Sequence, residues 1–98
     1  MIVACFRISI EAELDIDRIA AYTTSTWGWR QTDQYLAKLE DGFNLLAQNP
    51  MIGRPCDSLR AGLRRFEIGK HVVFYVLESD AILVARVLHE SMLPGKHV

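Results

Sequence analysis

The strongest constraint on the fold is a pair of nearly continuous apolar segments near the C-terminal end, HVVFYVL at 71–77 and AILVARVL at 81–88. The polar residues Glu78-Ser79-Asp80 separate them, a spacing typical of neighbouring antiparallel strands. A third strand-like segment precedes them across a turn at Gly69-Lys70. The sequence therefore predicts an antiparallel meander whose apolar side chains need cover on both faces. Its three strands are expected at 63–68, 71–77 and 81–89.

The first half of the chain is predicted to supply one strand and two helices. Residues 3–8 alternate with the period of two that is typical of a half-buried strand. Ser9 is placed to cap a helix over 10–27, in which apolar residues repeat at three- and four-residue spacing and Asp15 falls off the apolar stripe. A second amphipathic pattern over 30–48 ends before Pro50, because the residue preceding a proline disfavours the helical conformation. Two successive helices with a short break predict a helical hairpin.

These elements define an α+β fold in the order β-α-α-β-β-β, in which an N-terminal strand and a helical hairpin pack on an antiparallel sheet. The chain has 98 residues, of which 50% are hydrophobic, enough for one core, so residues 1–98 are expected to form a single domain. Residues 49–62 hold two prolines and two glycines and are expected to form a loop. The predicted core comprises Phe6, Ile16, Ile19, Leu39, Phe43, Leu46, Phe74 and Val84.

The sheet face away from the hairpin has no predicted element to cover it except the tail after Glu90. Exposed apolar surface of that size marks a binding site. The sequence therefore predicts a protein partner, with an interacting segment that folds on binding as an amphipathic helix. A homodimer that covers the same surface is the structural alternative.

Composition argues against several classes of protein. A net charge of −1 provides no general attraction for nucleic acid or lipid, so sequence-specific nucleic-acid binding by the chain alone is not expected. The longest apolar run, Val72 to Leu77, is far shorter than the roughly 20 residues that span a bilayer. The cysteines and histidines lack the spacing of a metal site, and two cysteines suit a reducing cytoplasm. We expect a cytoplasmic protein without metal, cofactor or membrane association.

Basic residues concentrate between positions 54 and 71, where five lysines and arginines stand against Asp57 and Glu67. The functional interpretation is a site for an anionic ligand, either nucleic acid or an acidic peptide. The alternative is a solvated loop and an edge strand whose charge prevents pairing with other chains. Arg64 and Arg65 are adjacent in a predicted strand, so they point to opposite faces and do not meet one ligand together.

A second set of side chains has the chemistry for RNA cleavage. His89, with Arg65, Glu67, Tyr75 and Arg86, would supply acid, base and phosphate contacts if all five met on one sheet face. Strand alternation places His89 on the face opposite Arg86, so no such cluster is predicted. The alternative interpretation is that these residues hold hydrogen bonds at the sheet surface and the strand ends.

Several motifs together resemble those of the ParE toxins of the RelE/ParE superfamily over almost the whole chain. They are Ala12-x-x-Asp15-Ile16-x-x-Ile19-x-x-Tyr22, Trp27-Gly28, Gln31-x-x-x-Tyr35, Pro50-x-x-Gly53-Arg54, Gly62-Leu63-Arg64-Arg65-Phe66, His71-Val72-Val73-Phe74-Tyr75 and Arg86-Val87-Leu88-His89-x-x-Met92. The resemblance implies the same β-α-α-β-β-β fold and a toxin that poisons DNA gyrase without an enzymatic activity of its own. It also implies neutralisation by a ParD-type antitoxin. A RelE-like, ribosome-dependent messenger-RNA endoribonuclease is the alternative function.

Two sets of contact residues follow from these expectations. Contacts with gyrase are expected at Arg54, Arg64, Arg65, Arg86, His89, Met92 and Lys96. Contacts with the antitoxin are expected at Ile16, Ile19, Leu39, Phe43, Arg60, Lys70 and Tyr75. No catalytic residue is expected.

Overall fold

The structure, a computed structural model, describes residues 5–93 and consists of a helical hairpin packed on one face of a five-stranded sheet. The elements are β1 Phe6–Ile8, α1 Ile10–Trp27, α2 Trp29–Gln48, β2 Arg54–Pro55, β3 Arg64–Ile68, β4 His71–Leu77, β5 Ile82–His89 and a closing 3-10 turn Glu90–Met92. The predicted fold class is confirmed, and the two helices and β4 match their expected limits within one residue. Residues 3 and 4 of the predicted first strand lie outside the described residues.

The helical hairpin begins and turns where the sequence predicts. The Ser9 side chain accepts a hydrogen bond from the Ala12 backbone N–H at 3.0 Å, which satisfies one of the free donors at the start of α1. Gly28 joins the helices with φ of 93°, a conformation that glycine adopts at little cost. The positive φ at position 28 therefore favours glycine between the helices. The two helices fold back on each other.

The sheet is mixed, in the order β1-β5-β4-β3-β2, and this differs in two ways from the predicted antiparallel sheet. First, β1 runs parallel to β5. Because β3 and β5 are each antiparallel to β4, both run in the direction of β1. Second, the predicted loop contains β2, whose two residues pair with β3. A two-residue strand that ends in proline has no periodicity to detect, and proline is tolerated at a sheet edge.

One side of the sheet and the hairpin enclose the larger core, called here the helix-facing core. It comprises Ala12, Ile19, Leu39, Phe43, Leu46, Ala47, Ile68, Val73, Tyr75, Ile82, Val84 and Val87. Of the predicted core residues, Phe6 and Ile16 pack against this cluster while partly exposed, and Phe74 lies on the other side of the sheet. The alternation of Val73 and Tyr75 with Val72 and Phe74 along β4 explains the division.

The other side of the sheet, called here the outer face, carries a smaller cluster formed by Cys56, Leu63, Val72, Phe74 and Leu93, with Val76 and Leu88 at its margin. The expectation that no element except the tail would cover this face is corrected. The loop before β3 contributes Cys56 and Leu63, and the residue after the 3-10 turn contributes Leu93. The outer face is therefore covered by loop and tail rather than by a helix.

Candidate functional site

Three arginines and one phenylalanine form a row across four strands of the sheet. Arg54 in β2 is directly opposite Arg65 in β3, Arg65 is opposite Phe74 in β4, and Phe74 is opposite Arg86 in β5. Residues directly opposite each other in neighbouring strands point to the same face. Since Phe74 belongs to the outer-face cluster, Arg54 and Arg65 flank that cluster on the outer face.

The arginines of this row have very different partners. The guanidinium of Arg54 lies 3.2 Å from the carboxylate of Glu67, and both side chains are mostly exposed. The guanidinium carbon of Arg65 lies 5.9 Å from the centroid of the Phe74 ring. Its Nε atom is buried and has no hydrogen-bond partner among the described residues. Arg65 is therefore the arginine of this row that has a buried donor without an acceptor among the described residues.

Arg64 and Tyr75 are committed to holding the loop before β3. The Tyr75 hydroxyl donates to the Pro50 carbonyl at 2.7 Å and accepts from the Gly53 N–H at 3.0 Å. A Cβ at Gly53 would lie 2.3 Å from that hydroxyl, and Arg64 donates to the Gly53 carbonyl at 3.0 Å. Burial raises the pKa of Tyr75 in spite of the Gly53 hydrogen bond and the charge of Arg64. The Pro50-x-x-Gly53 motif thus has a structural reason, because the backbone groups of both residues form hydrogen bonds with the Tyr75 hydroxyl.

Arg86 turns from the row to a buried carboxylate on α1. Ala85 forms a bulge in β5, and beyond it the Nε and Nη2 atoms of Arg86 donate to Asp15 at 2.8 and 2.9 Å. The Val87 N–H donates to the same carboxylate at 2.9 Å. Burial favours a higher pKa for Asp15, but these hydrogen bonds and the charges of Arg86 and Arg18 outweigh it and lower the pKa. The expectation that Asp15 lies off the buried stripe is wrong, because Asp15 is 3% exposed and pairs with the sheet.

The histidines occupy the opposite end of β4 and β5. His71 is directly opposite His89, with ring centroids 5.3 Å apart, and the His71 Nδ1 lies 2.5 Å from the Tyr35 hydroxyl of α2. His89 Nδ1 accepts from the Ser91 N–H at 3.1 Å and so caps the 3-10 turn. Burial and the charge of His89 lower the pKa of His71. This pair therefore lies on the helix side of the sheet, away from Arg65 and Glu67.

The residues that RNA cleavage would require do not converge in the part of the chain that the structure describes. Tyr75 is fully buried with its hydroxyl engaged, Arg86 is bound to Asp15, and His89 faces His71. Arg65 and Glu67 share the outer face without any of these three. The five residues act at four separate places in the fold.

Most of the apolar residues expected to contact an antitoxin are part of the core. Ile19, Leu39, Phe43 and Tyr75 are buried, and Ile16 is half-buried against them. These side chains lie in or against the helix-facing core, and their role as antitoxin contacts stays a prediction. Arg60 and Lys70 are exposed, as a contact role requires.

The exposed large apolar residues lie elsewhere, and of these only Met92 is among the contacts expected from the sequence. They are Ile10, Leu14, Tyr22, Trp27, Trp29, Leu45, Met51, Ile52, Leu59, Leu77 and Met92. Two of them, Met51 and Leu77, line an open groove of about 520 Å³ beside the outer-face cluster, together with Leu63, Val76 and the charged residues Asp57, Arg60, Arg64 and Glu78. About half of the residues that line the groove belong to the loop at 49–62, which has no sequence periodicity. The alternation of residues along the strands therefore could not predict the groove.

The tail expected to contact gyrase is described as far as Leu93. Met92 is 65% exposed, whereas Leu93 is buried in the outer-face cluster. Lys96 lies outside the described residues.

No three of the His, Cys, Asp and Glu side chains within residues 5–93 are placed to hold a metal ion together. Neither α1 nor α2 is long and apolar enough to cross a membrane.

The chain was compared with known families, proteins and solved structures. Residues 6–94 match the family described as the ParE toxin of type II toxin-antitoxin system, parDE. Toxin ParE1 of Caulobacter vibrioides is 38% identical over 93 residues, covering 95% of this chain and 96% of that protein. Toxin ParE1 of Mycobacterium tuberculosis is 36% identical over 88 residues, covering 89% and 90%.

A solved structure, described as the chromosomal ParDE TA system from P. aeruginosa, has the same fold with a TM-score of 0.78. It is 16% identical in sequence, and the alignment covers 91% of this chain and 98% of that one. The sequence match over residues 6–94 and the two ParE1 relatives identify the family, and the solved structure agrees in fold. The chain therefore belongs to the ParE toxin family of type II toxin-antitoxin systems.

Proposed function

We propose that this chain is a cytoplasmic toxin that holds DNA gyrase on DNA in its cleaved, covalently joined state, and that a ParD-type antitoxin neutralises it. The observation that carries the proposal is membership of the ParE toxin family over residues 6–94. The fold shared with a protein of the P. aeruginosa ParDE system supports a paired antitoxin. The free thiols of Cys5 and Cys56 are compatible with a reducing cytoplasm.

The proposed action requires no chemistry from the toxin, because gyrase itself cuts and rejoins DNA. The dispersal of Arg65, Tyr75 and His89 over different parts of the fold supports a binding role over RNA cleavage. General acid–base catalysis needs its groups within hydrogen-bond reach of one substrate. The described arrangement of these side chains does not provide such a site.

The contacts with gyrase are proposed at the edge strand β2 and in the tail after β5. Arg54 and Met92 are the described candidates whose side chains are mostly exposed. Arg64 and Arg86 are engaged with Gly53 and Asp15, so they act by holding the surface in shape. His89 has a similar supporting role, since it caps the turn that carries Met92.

The contacts with the antitoxin are proposed on exposed residues that neighbour the original candidates. Ile10 and Leu14 on α1 and Leu45 on α2 are exposed apolar side chains on the same helices as Ile19 and Leu39. Arg60 and Lys70 provide exposed positive charge for an acidic partner. A partner segment that orders on binding would bury this apolar surface.

The deciding experiment measures DNA supercoiling by purified gyrase with and without the purified chain, and scores both inhibition and protein-linked double-strand breaks. Inhibition with trapped breaks is expected, and added antitoxin should reverse both. Met92→Glu should reduce trapping, whereas Met51→Glu, at an equally exposed residue next to the groove, should leave it unchanged. Normal supercoiling without trapped breaks, at toxin concentrations that stop growth, would refute the mechanism and favour messenger-RNA cleavage.

A further inference from the structure

Two arginines face each other on the outer face with little to neutralise them. Arg54 and Arg65 are directly opposite in β2 and β3, and like charges in such a position destabilise a sheet. Glu67 contacts Arg54, but its side chain is 60% exposed and an ion pair so exposed contributes little. The pair therefore costs free energy in the isolated chain unless an anion joins it.

Arg65 also has unused hydrogen-bonding capacity. No hydrogen bond or ion pair of its side chain is found within residues 5–93, and its buried Nε–H lacks a partner. A buried donor without an acceptor is costly, and native structures rarely keep one without a reason. Because its guanidinium rests over the Phe74 ring, which fills the outer-face cluster, the side chain is held at the surface of that cluster rather than being free in solvent.

We propose that Arg54 and Arg65 form a carboxylate-binding site that receives an acidic side chain of the antitoxin. This inference rests on the proposed neutralisation by an antitoxin and identifies the chemistry of one contact. A guanidinium offers parallel N–H donors that match the two oxygens of a carboxylate. One carboxylate between the two arginines would offset their repulsion and supply the acceptor that Arg65 lacks, after a small rotation of its side chain.

The surroundings favour a peptide carboxylate over a nucleic-acid backbone. Pro55 and Arg64, the chain neighbours of the pair, line the groove together with Asp57 and Glu78. Glu67 lies next to Arg54. A polyanion needs a run of uncompensated cations, and these carboxylates interrupt it. Exposed Met51 and Leu77 at the groove instead suit apolar side chains that flank an acidic residue in a peptide.

The test is calorimetric titration of the full chain with the ParD-type antitoxin proposed to neutralise it. Arg65→Gln and Arg54→Gln should each weaken binding by about 10- to 100-fold, the loss typical of a hydrogen-bonded charge contact. Arg30→Gln is the matched control, since it removes the same charge from an exposed site at the start of α2, and it should bind within about twofold of the unmodified chain. Arg65→Lys keeps the charge but not the paired donors, so it should fall between these limits.

The outcomes separate this inference from the function on which it rests. If the antitoxin fails to bind the unmodified chain, the proposed neutralisation is wrong. If it binds, and both glutamine variants match Arg30→Gln, only the carboxylate site is overturned. If the variants instead lose affinity for a twelve-nucleotide oligothymidine but not for the antitoxin, the site binds nucleic acid and the proposal is also overturned. Arg54 is mostly exposed, so its variant decides the question if Arg65→Gln does not fold.

Discussion

The two faces of the sheet achieve burial in different ways. The helix-facing core is covered by α1 and α2, and its polar group Asp15 has several hydrogen bonds. The outer face is covered by residues from a loop and from the end of the 3-10 turn, and it leaves Arg65 Nε without a partner among the described residues. Regular elements with satisfied polar groups serve stability, whereas thin cover with open hydrogen-bonding capacity leaves room for a ligand. The first face holds the fold, and the second is where binding has most to gain.

The sharpest test of this difference is to create the same cavity on each face. Leu46→Ala, in the helix-facing core, should lower the free energy of unfolding by about 4 kcal/mol, because enclosed neighbours cannot collapse into the space. Leu93→Ala, on the outer face, should cost about 2 kcal/mol, because a loop can move to fill it. Urea unfolding measures both. Equal losses would show that the outer face is packed as firmly as the core.

Removing the buried carboxylate should break the link between α1 and β5. Asp15→Ala leaves the Arg86 guanidinium and the Val87 N–H without their acceptor, and should cost about 3 kcal/mol by urea unfolding at neutral pH. Since the pKa of Asp15 is lowered on folding, its contribution is present above its ordinary pKa of 3.8 and is lost as the pH falls below that value. Asp17→Ala, at an exposed position on the same helix, should change stability by less than about 0.5 kcal/mol. Similar losses for the two variants would contradict a specific role for Asp15.

Tyr75 connects the two faces, because its ring lies in the helix-facing core while its hydroxyl holds the loop that covers the outer face. Tyr75→Phe keeps the ring and strands the Gly53 N–H and the Pro50 carbonyl, so we expect a loss of about 2 kcal/mol. In the Tyr75→Phe variant, hydrogen exchange should accelerate more at the Cys56 amide than at the amides of β4. Tyr22→Phe, at an exposed tyrosine, is the control and should have no measurable effect. Unchanged exchange in the loop would mean that the hydroxyl does not hold it.

The smallest expected effect is a dependence of stability on mildly acidic pH. Because the pKa of His71 is lowered in the folded chain, the unfolded chain takes up a proton first as the pH falls below about 6.5. The urea midpoint should therefore be constant above that pH and decrease below it. His71→Gln should reduce this decrease. A midpoint that rises between pH 7 and pH 5.5 would contradict the assignment.

The strong periodicities of the sequence predicted the helices and strands well, but they did not predict the burial of individual residues such as Asp15. The limits of α1 and β4 follow from a cap at Ser9 and from a continuous apolar run, both of which are local signals. The burial of Asp15 depends on Arg86, 71 residues away, and no local pattern shows such a pairing.

The candidate contacts were less predictable than the fold, because apolarity does not distinguish a core residue from a contact residue. Leu39 and Leu45 are both leucines of α2, yet the first is buried and the second is exposed. Similarly, the row formed by Arg54, Arg65 and Arg86 depends on strand register, including a bulge and a two-residue strand that the sequence does not reveal. Exposure and register are properties of the assembled chain.

The parallel pairing of β1 with β5 also sets when the fold can be completed. Phe6 pairs with Ile82, so the sheet is completed by contacts between the two ends of the chain. Contacts so distant in sequence form slowly, and during synthesis they must wait until β5 has been made. A ribosome that stalls before residue 82 would release a chain that lacks β5, the neighbour of both β1 and β4. Such fragments should be cleared as unfolded protein rather than accumulate.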